Sequence, residues 1–155
     1  MNKAEFLDRL GVERSEWDRL LAEAGEARMG QAGVEGEWSL KDIIAHVAWH
    51  EREMVELFRT RTLAGSDLWQ LPTNQRNEAI YQANRSRPLA EVLAEEQELF
   101  SQFLEGFESL TDEDLDDPAR FADMPPDWVP GKLIAENSYE HYREHTPAIR
   151  AWLTK

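Results

Sequence analysis

A chain of 155 residues with 41% apolar side chains suits one domain built on one core. Its formal net charge of -14 argues against a phosphate-binding surface, because nucleic acid and anionic lipid are repelled. The absence of cysteine excludes disulfides and thiolate metal sites, so any metal must sit on histidines and carboxylates.

The N-terminal MNKAEFLDRL lacks a basic segment followed by an apolar one, and no secretion signal is expected. No apolar run approaches the ~20 residues that span a bilayer. A cytoplasmic protein without nucleic-acid or membrane partners is therefore expected.

A first helix is expected from about Lys3 to Arg28, with Phe6, Leu7, Leu10, Trp17, Leu20, Leu21 and Ala24 on one face and Gly11 loosening its first turns. Gly30, Gly33 and Gly36 mark a loop. A second helix starts at Ser39, whose spacing to Asp42 forms a capping box, and runs to about Thr62. Its stripe is Leu40, Ile43, Ile44, Val47, Met54, Val55 and Phe58. Gly65 and Pro72 break the next stretch, and Asn77, Ile80, Tyr81 and Asn84 predict a short extra helix. The third long helix starts near Pro88 and buries Leu89, Val92, Leu93, Phe100, Phe103, Leu104 and Phe107. An acidic loop from Thr111 to Gly131 follows, with Thr111 as a cap; it lacks the spacing and glycine of an EF-hand. The fourth helix is expected from about Lys132 to Leu153. No run alternates as a half-buried strand does. The fold class expected is therefore all-α: a four-helix bundle over residues 1–155, with a short extra helix between helices two and three.

The four histidines form two pairs with a spacing of four, His46 with His50 and His141 with His145. Residues at i and i+4 project from the same side of a helix, so each pair offers two imidazoles to one region. His141 and His145 fall within the stripe of Ile134, Tyr142, Ile149 and Trp152, and His46 and His50 lie at the edge of the other stripe. A buried imidazole needs partners for both nitrogens. Either these are hydrogen-bonded core histidines, or a divalent metal on His141, His145 and a third imidazole from the other helix satisfies them. Glu-x-x-His and His-Glu-x-x-His are both absent, which leaves a mononuclear three-histidine site with open positions.

Glu51 falls on the inner stripe of helix two and Glu96 on that of helix three. Each is a candidate to orient an imidazole, to add a fourth ligand or to act as general base; the alternative is a side chain that reaches solvent at the bundle's end. Trp38, Trp49, Trp69 and Trp128 flank helix ends or loops and either wall a pocket or fill the core. Pro147 kinks the fourth helix two residues after His145.

The stretches Trp38-Ser39-Leu40-Lys41-Asp42-Ile43-Ile44-Ala45-His46 and Asn137-Ser138-Tyr139-Glu140-His141-Tyr142-Arg143-Glu144-His145 resemble the DinB-like superfamily of bacterial four-helix bundles. Asn74 to Leu115 resembles its ClbS/DfsB-like subgroup. The resemblance covers most of the chain from Glu37 onward. It implies one histidine from helix two and two from helix four around a divalent metal, positions matched by His46, His141 and His145; His50 matches no ligand of the family.

The superfamily includes thiol-dependent transferases such as mycothiol-dependent maleylpyruvate isomerase. The resemblance therefore implies a metal-dependent thiol S-transferase in which a low-molecular-weight thiol attacks a small-molecule electrophile, with Glu51 in support. Zinc and nickel both suit three imidazoles. The alternatives are a ClbS-like self-protection hydrolase and a non-catalytic stress or binding protein with structural histidines. Relatives pair through bundle faces, so a homodimer is expected.

Overall fold

A computed structural model describes residues 1–155, and helix is the only regular element beyond two isolated bridges. Asn2 opens α1 (Lys3–Ala24) with a capping box, its side chain accepting from the Glu5 N–H at 2.9 Å. The helix passes Gly11 unbroken and stops four residues short of the expected Arg28. Gly25 takes φ 74, and a 3-10 turn follows over Glu26–Arg28.

The expected capping box forms at Ser39 and opens α2 (Leu40–Thr60). The Ser39 N–H donates to Asp42 Oδ2 at 2.8 Å and the Asp42 N–H donates to Ser39 Oγ at 3.2 Å. The extra helix is α3 (Thr73–Asn84), and α4 (Leu89–Glu108) follows Pro88. Leu104, expected in the core, is exposed.

The acidic segment is less irregular than expected. Thr111 does act as a cap, and it starts α5 (Asp112–Asp116), followed by a 3-10 turn over Pro118–Arg120. The expected fourth helix is two segments, α6 (Pro130–Glu136) and α7 (Tyr139–Leu153). The interruption has a local cause. Asn137 Nδ2 donates to Leu133 O at 2.9 Å and Ser138 Oγ donates to Ile134 O at 2.6 Å, so side chains compete for carbonyls at the end of α6. Ser138 then leaves helical geometry, with φ -137 and ψ -102. Within α7, Pro147 removes the N–H that should reach Arg143 O; the Thr146 hydroxyl donates to that carbonyl instead, at 3.4 Å, and the helix continues.

The long helices pack as a bundle, α2 along α4 and α1 along α7, with α2 also meeting α7 and α3 lying against α2. One core of 28 buried residues joins them. Its aromatic centre includes Phe6 stacked on Phe107 at 4.4 Å and Phe58 edge-on to Phe103 at 5.2 Å. No helix is long and apolar enough to cross a membrane.

The Ser39 cap precedes the turns that carry His46. Ser39→Ala is expected to cost about 1 kcal/mol, read as a lower urea midpoint with an unchanged slope; an unchanged midpoint would show that Asp42 alone holds this end.

Candidate metal centre

α2 and α7 bring all four histidines together, and each is buried. His141 is the hub. Its Nε2 lies 3.0 Å from Nε2 of His46 and 3.0 Å from Nε2 of His145. His46, His50 and His141 each place a ring nitrogen within 4.8 Å of the other two. The exposed Glu144 carboxylate comes within the same range of His141 and His145.

Two polar side chains set the tautomers from outside. His145 Nδ1 donates to Glu35 Oε1 at 2.7 Å, which leaves the lone pair of the neutral ring on Nε2. His50 Nδ1 donates to Asn137 Oδ1 at 2.8 Å; the amide is oriented because its Nδ2 is committed to Leu133 O. His50 Nε2 is then a buried lone pair without a partner, and Nδ1 of His46 and of His141 are buried and unpartnered as well.

Hydrogen bonding cannot satisfy this group. His141 Nε2 carries one proton or one lone pair and faces two ring nitrogens, so at most one of the two short contacts is a good hydrogen bond. The orphaned nitrogens add to the cost. Converging neutral imidazoles with free lone pairs are the donor set of a divalent transition metal, and the residues present fit such an ion. Burial, reinforced by the neighbouring histidines and Arg76, pushes His46 down to about 2. Burial also outweighs the Asn137 hydrogen bond and lowers His50 to about 4. Burial and the other three rings hold His141 well below the usual histidine range.

Aromatic rings enclose the group. Trp38 lies 5.3 Å from the His46 ring and stacks on Tyr81 of α3 at 5.8 Å. Trp49 and Trp69 lie 4.9 Å and 5.6 Å from the His50 ring. Trp69 also lines a cavity of about 440 Å³ with Met54, Leu57, Leu63, Trp128 and Leu133; no histidine lines it. Trp69 is thus a wall shared by the cavity and the histidines. Gly65 permits this placement, since a Cβ there would meet the indole at 2.7 Å.

Glu51 and Glu96 are buried as their positions on the inner stripes suggest, and neither reaches solvent. Neither orients an imidazole; that role falls to Glu35 and Asn137. Both carboxyls belong to a separate cluster around Arg14 of α1. The Arg14 guanidinium binds Glu96 through both terminal nitrogens, at 2.5 and 3.0 Å, and donates to Tyr142 Oη at 3.1 Å. It lies 4.0 Å from Glu51, whose oxygens have no hydrogen-bond partner. Burial, with Glu96 adding to it, pushes the Glu51 carboxyl well above the usual range and favours its neutral form. Burial acts to lower the Arg14 pKa, but Tyr142 and Glu96 outweigh it and the guanidinium stays charged.

Arg14 was readable from the sequence, since it follows Leu10 by four residues on the inner face of α1 and two inward carboxyls need a cation. Asn137 had a weaker signal, four residues before His141 on the same side. Glu35 sits in a loop and had none.

The protein is a helical bundle in which facing helices bring imidazoles together in the core, an arrangement whose donors fit a metal ion. Residues 3–146 match the DinB superfamily, and the chain belongs to it. Three solved structures share the fold. An uncharacterised protein from Escherichia coli UTI89 is 17% identical with a TM-score of 0.75, over 99% of this chain and 93% of that one. A protein from Streptococcus pneumoniae is 15% identical with a TM-score of 0.79, over 98% and 90%. The sibling lethal factor precursor DfsB is 17% identical with a TM-score of 0.79, over 98% and 95%. No curated protein matches the sequence.

Arg14→Leu strands Glu96 without its cation and is expected to cost about 3–5 kcal/mol in urea unfolding. Adding Glu96→Leu should restore much of that loss. Equal losses in the single and double variants would assign the cost to packing.

Acidification should weaken the metal-free protein. His46, His50 and His141 have folded pKa values below the unfolded value of about 6.5, so the unfolded chain binds more protons as pH falls through that value. Their stabilisation is present above about 6.5 and drains away towards the folded values, each contributing a slope of up to about 1.4 kcal/mol per pH unit. Glu51, raised in the fold, acts in the opposite direction but is one group against three. The urea midpoint of metal-stripped protein should fall between pH 7.5 and 5; a flat midpoint would refute neutral burial of these rings.

Proposed function

We propose that this DinB-superfamily protein is a divalent-metal-dependent thiol S-transferase acting on electrophilic small molecules, with His46, His141 and His145 holding the ion. The observation that carries the reading is His141 Nε2, which stands 3.0 Å from two other imidazole nitrogens and can satisfy only one of them by hydrogen bonding. His50, with its unpartnered Nε2, is a further donor within reach.

His46, His141 and His145 would hold a divalent zinc or nickel ion, which would supply the Lewis acidity that makes a low-molecular-weight thiol available as thiolate at neutral pH. The chain's own residues prepare the site for that chemistry. Glu35 accepts a hydrogen bond from Nδ1–H of His145 and Asn137 one from Nδ1–H of His50, which leaves both Nε2 atoms as the lone-pair nitrogens. Trp38, Trp49 and Trp69 exclude water around the rings. The cavity beyond Trp69 offers apolar walls to the body of the electrophile. Glu51 stands behind the site in the Arg14 cluster, whose guanidinium also donates to Tyr142, the neighbour of His141.

Metal analysis of untagged wild-type protein and of His141→Ala tests the reading. Near-stoichiometric zinc or nickel is expected in the wild type and its loss in the variant, with consumption of a test electrophile only when a thiol is added. Full occupancy in His141→Ala overturns the site. Turnover without any thiol moves the assignment to a hydrolase of the ClbS kind.

A further inference from the structure

Most arginines of this acidic chain pair with a carboxylate, among them Arg14, Arg19, Arg52, Arg87 and Arg150. Arg9, Arg28, Arg76 and Arg85 form no ion pair, although the chain holds 31 Asp and Glu, and of these four Arg76 is the one with a buried, unpartnered nitrogen, its Nε. Arg76 is half-buried on α3. Its terminal nitrogens reach only Leu71 O at 3.4 Å and Thr73 Oγ1 at 3.5 Å, the outer limit of a hydrogen bond.

The position of this cation is as informative as its lack of partners. Its guanidinium carbon lies 4.8 Å from the centroid of the Trp69 ring, and that ring packs on His50. Arg76 is therefore one side chain away from the imidazoles. Imidazoles bring no negative charge of their own. A divalent ion held among them would share the region with a guanidinium of the same sign, in surroundings where water screens little. The carboxylates close to the histidines are Glu35, committed to His145, and the exposed Glu144. A guanidinium with idle donors calls for an anion from outside the chain.

We propose that Arg76 binds a carboxylate carried by the substrate, so that the electrophile accepted at this site is a small organic acid whose apolar part packs on Trp69 and its neighbours. The planar fork of a guanidinium matches a carboxylate in two parallel hydrogen bonds, and the indole beneath it holds the fork in place. That the ligand is an electrophile rests on the transferase reading; the carboxylate site does not, and it is measurable without metal.

Calorimetric titration with benzoate and with its neutral analogue benzamide tests this, on metal-free and zinc-loaded protein, for wild type, Arg76→Met and Arg76→Lys. Wild type should bind benzoate at least tenfold more tightly than benzamide in both forms. Arg76→Met should lose at least tenfold for benzoate and change benzamide by less than twofold, with an unchanged melting temperature. Arg76→Lys keeps the charge without the fork, should lose at least threefold, and decides the matter if the Met variant does not fold. Equal affinity for the two ligands, no binding of benzoate, or benzoate affinity indifferent to both substitutions overturns the proposal. Failure of zinc to bind while the benzoate preference persists defeats the metal-centre reading and leaves the Arg76 site standing.

Discussion

A ring nitrogen carries one proton or one lone pair, and His141 Nε2 confronts two other ring nitrogens at hydrogen-bonding distance. The surrounding structure is organised around this unsatisfiable contact. α2 and α7 bring two histidines each to the same place. Asn137 and Glu35 fix protons on the far sides of two rings. Three indoles close the surroundings. Each of these features makes the rings less able to satisfy one another or to turn towards water. Such an arrangement is costly as packing and favourable as a ligand set, because a metal needs the deprotonated, pre-aimed nitrogens that a hydrogen-bonded core does not leave free.

Beneath the histidines lies a second polar cluster with different logic. Arg14 ties α1 to Glu96 of α4 and to Tyr142 of α7, one residue from the hub. A buried ion pair contributes little net stability against an apolar replacement. Its effect here is geometric: three helices meet at one guanidinium, and Tyr142 is held from behind while His141 faces the imidazole group. Burial favours the neutral form of Glu51, which spares the interior a second negative charge beside the Arg14-paired Glu96.

The long helices and their buried faces were legible in the sequence because the period of apolar residues follows directly from helical geometry. The cap at Ser39 and the cap at Thr111 were legible for the same kind of reason, a hydroxyl three residues before a carboxylate. The two histidine pairs were legible as pairs. Their convergence needed the family resemblance, since periodicity says which way a residue faces within its own helix and not how two helices are rotated against each other. The end of α1 at Gly25 and the break at Asn137 and Ser138 were not anticipated. Both depend on backbone conformations and side-chain-to-carbonyl bonds that a stripe of apolar residues does not record. Glu51 shows a related limit: its inward position was evident, but whether it would meet an imidazole or an arginine depended on Arg14, a residue on another helix.

The break between α6 and α7 divides labour along what looks in sequence like one helix. Leu133, on α6, lines the cavity together with Trp128 from the segment before it, whereas His141 and His145 ride on α7. In a continuous helix each inserted residue turns everything beyond it by about 100°, so a change in the cavity wall would re-aim the imidazoles. The irregular joint uncouples the two. The cavity wall is free to diverge in length and sequence while the nitrogens keep their aim, provided Asn137 stays at the joint. A fold built this way can rewrite one segment without rebuilding the histidine cluster beside it.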